Sequence, residues 1–113
     1  MFAKLMGLET VAPKELQELI GKGEVTVVDV NSSESWGKAH VPGALNLDSA
    51  TYGSADLPSD KSSPLVFYCS NPLCRKAPSA ARRARRMGYV NVRVMSAGIS
   101  GWIAANLPTA SAH

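Results

Sequence analysis

Cysteine is scarce: two in 113 residues, too few to staple a small fold. Aromatic side chains make up 6% of the chain, and no apolar run approaches the ~18 residues that a membrane-spanning helix needs, so no membrane partner is expected. Neither sign of charge dominates, since 12 Lys and Arg against 9 Asp and Glu leave a formal net charge of +3. Arg82, Arg83, Arg85 and Arg86 do cluster, but without interleaved aromatics or a recognition motif they read as a solvated helix face with a mild pull on small anions, not as a nucleic-acid surface. The N-terminal Met1-Phe2-Ala3-Lys4-Leu5-Met6-Gly7 is too short and too broken for an export signal, which makes the cytoplasm the expected compartment. In that reducing setting the two cysteines are expected to be reactive or simply packed, and not joined as a structural disulfide.

What is present is the composition of one globular domain, 45% hydrophobic and 19% charged, expected to span residues 1–113 and to bury a core of its own. Pro13 opens a helix with leucines at helical spacing that ends at Gly21. Val25-Thr26-Val27-Val28-Asp29-Val30 is a β-branched run with too little alternation for one wet face, hence a central strand of a parallel sheet with Asp29 at its C-terminal end. Ser32 and Ser33 can cap a short helical turn carrying Trp36 as an anchor, Val41-Pro42-Gly43 turns, and Ala44–Leu47 is a brief strand. The stretch from Asp48 to Pro64, rich in Ser, Gly, Asp and Pro, reads as a surface connection. A strand then ends at Tyr68-Cys69, a helix runs from Ala77 to Met87 and stops at Gly88, Val90–Met95 forms another strand, and a last short helix is closed by Pro108. Alternating strands and helices predict an α/β fold with a parallel sheet covered on both faces, whose ligands bind beyond the C-terminal strand ends, where Asp29 and Cys69 fall.

Around Cys69 the pattern is that of a nucleophile. A buried strand ends at the thiol, and the loop Ser70-Asn71-Pro72-Leu73-Cys74-Arg75-Lys76 leads into a helix N-terminus, where amides and cations favour a thiolate. Asp29 and His40 are expected to be structural residues near this site, hydrogen-bonded within nearby turns. Cys74 admits three readings: a bystander, a resolving thiol that attacks an oxidised or persulfidated Cys69, or a metal ligand. Two cysteines with four residues between them and His40 and His113 far off do not make a zinc spacing, so no metal and no cofactor are expected.

Five stretches, taken in order, resemble the rhodanese-like sulfurtransferase family: Val28-Asp29-Val30, His40-Val41-Pro42-Gly43-Ala44-Leu45-Asn46, Tyr68-Cys69, Gly88-Tyr89-Val90-Asn91-Val92 and Gly98-Ile99-Ser100-Gly101-Trp102. The resemblance covers about Pro13 to Trp102. It implies a rhodanese-like α/β domain with about five parallel strands flanked by helices on both faces, and a single catalytic cysteine, at the position of Cys69, that carries a persulfide. There are departures. Asn31 stands where the family pattern has arginine, and the loop is two residues longer, with Pro72 and Leu73 at its centre. This resembles a subgroup with an Asn-Pro pair and a second cysteine in the loop.

On this reading Cys69 takes sulfur from a small anionic donor, thiosulfate or a persulfide, and passes it to cyanide or to a protein or low-molecular-weight thiol. The amides of Ser70, Asn71, Leu73, Cys74, Arg75 and Lys76 are the expected anion cradle, with Pro72 contributing none. Two other readings stay open. Cys69 and Arg75 have the cysteine-x5-arginine spacing of cysteine phosphatases, and the chain would also serve as a non-catalytic thiol-bearing binding or redox module.

Overall fold

The computed structural model describes residues 7–112. Residues 1–6, on which the reading of the leader rests, and His113 lie outside the described residues. In chain order the elements are β1 (Glu9–Thr10), α1 (Pro13–Gly21), β2 (Thr26–Asp29), α2 (Ser33–Lys38), β3 (Leu45–Asn46), a 3-10 turn (Ser54–Asp56), β4 (Leu65–Tyr68), α3 (Lys76–Arg86), β5 (Val92–Val94) and α4 (Gly98–Ala104). The five strands form one parallel sheet in the order β1-β5-β4-β2-β3, with β4 at the centre. Asp29 pairs with Tyr68 in the β2–β4 register, which puts the last residues of both strands at the same edge.

Successive strand residues face opposite sides, and the sequence supplies apolar groups for both. Val28, Phe67 and Val94 join Ala77, Ala80, Ala81 and Ala84 of α3 in one cluster, while Val27, Val66 and Tyr68 join Leu16 of α1 and Trp102 of α4 in the other. The small residues on the inner face of α3 bring that helix close to β4 and β5. Leu16 is fully buried, and burial of such a side chain contributes about 1.5–3 kcal/mol. Pro13 starts α1, and Ser32 caps α2 by accepting the Ser35 N–H at 3.2 Å.

Two sequence expectations need correction. β1 lies just before the predicted first helix and pairs with β5, an edge strand too short to show a period. The connection from Asp48 to Pro64 is not only surface: Tyr52 and Leu57 are buried, the Tyr52 hydroxyl donates to the Ala80 carbonyl at 2.6 Å, and the Tyr89 hydroxyl donates to the Pro58 carbonyl. The connection is therefore tied to α3 and to the segment before β5.

Of the arginine cluster, Arg83 is drawn inward, its Nε donating to the Tyr52 carbonyl at 2.8 Å with the guanidinium 5.4 Å from that ring. Arg82, Arg85 and Arg86 remain exposed beside Gly7 and Leu8. Among the described residues no helix is long and apolar enough to cross a membrane.

Candidate functional site

Cys69 is the residue after β4, so the central strand delivers it to the edge at which α/β sheets bind ligands. It is buried, 3% exposed. Its carbonyl accepts the Ile99 N–H at 2.9 Å, and the Ser70 carbonyl accepts the Ser100 N–H at 3.0 Å, so the head of α4 holds the loop entrance. Gly98 makes that approach feasible. It sits at φ +68, and a Cβ there would come within 2.6 Å of the Asn71 nitrogen and the Ser70 carbonyl carbon. The Gly98-Ile99-Ser100 stretch thus belongs to the site. Its signal in the sequence was a glycine a few residues after a strand, inside one of the stretches that carry the family resemblance.

The loop folds back on itself. Asn71 accepts twice, from Leu73 N–H through its side chain at 2.9 Å and from Cys74 N–H through its carbonyl at 3.1 Å. The turn carries Pro72 and leaves Leu73 78% exposed at the tip. It also returns Cys74 to Cys69, and the two are joined in a disulfide with their Cα atoms 6.4 Å apart. The compartment argument against a disulfide is thereby corrected, since the Asn71-Pro72 turn brings the second sulfur onto the first, a pairing that the resolving-thiol reading of Cys74 leaves open. In this state Cys69 is no thiolate, and the nucleophile exists only once the bond is reduced. Cys74 is neither bystander nor metal ligand here, but the covalent partner of Cys69.

The same turn changes the expected cradle. Pro72 has no N–H, and those of Leu73 and Cys74 are spent on Asn71, so the anion cradle narrows to Ser70, Asn71 and the residues leading into α3. Three consecutive positions, Pro72 without an N–H and Leu73 and Cys74 with theirs already used, thus offer nothing to a phosphate that the Cys69–Arg75 spacing would hold. Arg75 occupies the N-cap position of α3 and Lys76 is its first residue, so both charges lie at the head of that helix.

Beside the site, a fully buried Asp29 carries a hydrogen-bond network. Its Oδ2 accepts from the Tyr68 hydroxyl at 2.7 Å and its Oδ1 from the Asn31 N–H at 2.7 Å, while the Tyr68 oxygen accepts the Val41 N–H at 3.0 Å. Burial holds the Asp29 carboxyl above the usual carboxylate range, against the lowering pull of the Tyr68 and Asn31 hydrogen bonds. Burial likewise raises the Tyr68 phenol, and the facing Asp29 charge raises it further. Asn31, which stands in place of an arginine, leaves its carbonyl to Asn46 Nδ2 at 2.9 Å. His40 is also buried, stacked on Trp36 with ring centroids 4.1 Å apart and its Nδ1 2.6 Å from the Trp36 carbonyl. A cleft of about 370 Å³ lies beyond β2 and β3, lined by Asn31, Ser32, Asn46, Asp48, Ser49 and Lys76, and reaches the head of α3 through that lysine.

A central strand leading into a buried cysteine, a loop pinned by the head of α4 and a parallel five-stranded sheet make a specific combination, and a model of the rhodanese-like domain matches residues 12–105. The chain belongs to the rhodanese-like domain family. Among rhodanese-like relatives, an HTH-type transcriptional regulator of Mycobacterium tuberculosis is 35% identical over 102 residues, which covers 88% of this chain and 44% of that protein. Thiosulfate sulfurtransferase GlpE of Coxiella burnetii is 26% identical over 108 residues, covering 96% of this chain and 98% of that one. The structure is similar to that of a human single-domain sulfurtransferase, with a TM-score of 0.71 at 25% identity over 84% of this chain and 95% of that chain. The chain spans about half the length of the first curated relatives it matches. The chain is thus similar both to an enzyme named for thiosulfate and to part of a protein named for regulation.

Proposed function

We propose that this rhodanese-like protein is a sulfurtransferase that carries sulfane sulfur on Cys69. The observation that supports it best is the position of Cys69: buried, directly after the central strand, with its own carbonyl held by α4. Relatives named as thiosulfate sulfurtransferases support the same reading.

The reduced Cys69 thiolate attacks the outer sulfur of thiosulfate or of a low-molecular-weight persulfide. The new S–S bond forms as the donor's own S–S bond breaks, and sulfite or a thiolate leaves with the electron pair. The product is a Cys69 persulfide anion. The Ser70 and Asn71 amides and the head of α3 stabilise it, and Arg75 and Lys76 give an anionic donor a cationic approach. A thiol or cyanide acceptor then attacks the outer sulfur and restores the thiolate.

Intact mass is the test. Reduced Cys74→Ser protein, which cannot close the Cys69–Cys74 bond, gains one cyanide-removable sulfur atom when incubated with thiosulfate, and separately with glutathione persulfide, and Cys69→Ser gains none. Absence of gain with both donors would overturn the reading.

A further inference from the structure

We propose that Cys74 resolves the Cys69 persulfide, so that the protein is also a dithiol persulfide reductase that releases sulfide and closes the Cys69–Cys74 disulfide. The inference rests on the proposed persulfide at Cys69 and adds a second fate for its sulfur.

The two sulfurs are already bonded in the structure, across a span of five residues and a Cα separation of 6.4 Å. The loop is built to hold this geometry. Asn71 fixes the Leu73 and Cys74 amides, Pro72 restricts the turn between them, and the α4 amides of Ile99 and Ser100 fix the carbonyls of Cys69 and Ser70. A thiol at position 74 therefore attacks within its own loop, without a diffusing acceptor.

The step balances. Cys74 Sγ attacks Cys69 Sγ, the inner sulfur of the persulfide, forming the Sγ–Sγ bond as the Sγ–S bond breaks. The outer sulfur leaves as hydrosulfide, taking the electron pair and the thiol proton. The sulfane sulfur is reduced by two electrons and the cysteine pair is oxidised by two. The structure then depicts the end of that turnover. Reopening needs an external dithiol, which is oxidised to its own disulfide.

Exposure sets the direction of reopening. Cys69 is 3% exposed, whereas Cys74 is half-buried beside a protruding Leu73, so the reductant meets Cys74 and Cys69 departs as the thiolate that starts the next cycle.

The test uses the full chain, reduced, freed of reductant and given glutathione persulfide. Wild type is expected to release one equivalent of sulfide per chain and to finish lighter than the reduced protein by two hydrogen atoms. The donor leaves one equivalent of glutathione, and against that background Cys74→Ser, and Cys74→Ala as a second variant, are expected to retain the added sulfur and to release sulfide only when excess thiol is added. Equal sulfide release without added thiol by wild type and both Cys74 variants, each having taken up the sulfur, would overturn this inference and leave sulfur transfer through Cys69 standing. Failure of the Cys74 variants to gain sulfur, together with no sulfide release by wild type, would overturn both.

Discussion

The Ile99 N–H donates to the Cys69 carbonyl at 2.9 Å, so Cys69 and the first turn of α4 form one unit. Through Gly98 the same turn lies against the Ser70 and Asn71 backbone, closer than any side chain permits. The loop has two supports, its own Asn71 turn and the α4 head, and each is open to a separate test.

Gly98→Ala tests the second support. The φ of +68 alone costs an alanine ~1–2 kcal/mol, and its Cβ must push the Asn71 nitrogen aside. Sulfur loading of Cys69 is expected to fall by more than the stability loss explains, measured as loading rate against denaturant midpoint. A loop indifferent to this change would show wild-type loading at reduced stability.

Tyr68→Phe tests the Asp29 network. It removes the donor to Asp29 Oδ2 and the acceptor of the Val41 N–H, leaving buried groups unpaired at a cost of about 1–3 kcal/mol. Loss of the Tyr68 bond, which lowers the carboxyl, moves the Asp29 pKa further up. Chemical denaturation of the variant at neutral pH is the measurement.

Asp29 also gives stability a pH dependence of definite sign. Its folded pKa is raised, so the folded state binds the proton more tightly than the unfolded chain does. The stabilisation is fully present below the ordinary carboxylate value of ~3.9 and is lost as pH rises through the raised folded value. In Asp29→Asn this component disappears, and the stability difference between acid and neutral pH should shift accordingly. An unchanged difference would mean that Asp29 does not titrate as described.

Tyr52 is expected to titrate late. Burial pushes its phenol up to about 12 despite the nearby Arg83 and Arg86. Ultraviolet titration of Tyr52→Phe against wild type should remove a component that ionises near that pH. The variant loses the bond to the Ala80 carbonyl and with it ~0.5–1.5 kcal/mol.

Leu73→Asp bears on reopening of the disulfide. A protein dithiol has to dock over the tip that Leu73 leaves exposed, whereas dithiothreitol does not. The rate of reduction by a thioredoxin-type protein should fall more than the rate with dithiothreitol. Equal slowing of the two would place the effect in the bond itself and not in docking.

Much of the fold was legible because local signals agreed. Pro13 and Gly21 bracket α1, Ser32 caps α2, and the β-branched run gives β2. Cys69 could be singled out because a strand, a loop and a helix meet there. The Cys69–Cys74 bond was not legible, since it depends on a turn in which Asn71 accepts from two amides, and side-chain acceptance leaves no periodic trace. The role of Gly98 was hidden for a related reason: its requirement is set by the Ser70 and Asn71 backbone, distant in sequence. Tyr52 was placed in a surface connection because its neighbours are polar, although its own ring is buried.

The alanines on the inner side of α3 have a remote effect. They set how near the helix lies to β4 and β5, and α3 begins where the loop ends. A larger residue at Ala80 or Ala81 would work as a wedge, lifting the helix as a lever and carrying Lys76 and Cys74 with it. Cys69 shares a core cluster with these alanines and Cys74 packs against it, so the spacing between the two sulfurs is adjustable from the middle of α3, and the reactivity of the loop can be tuned without altering any residue within it.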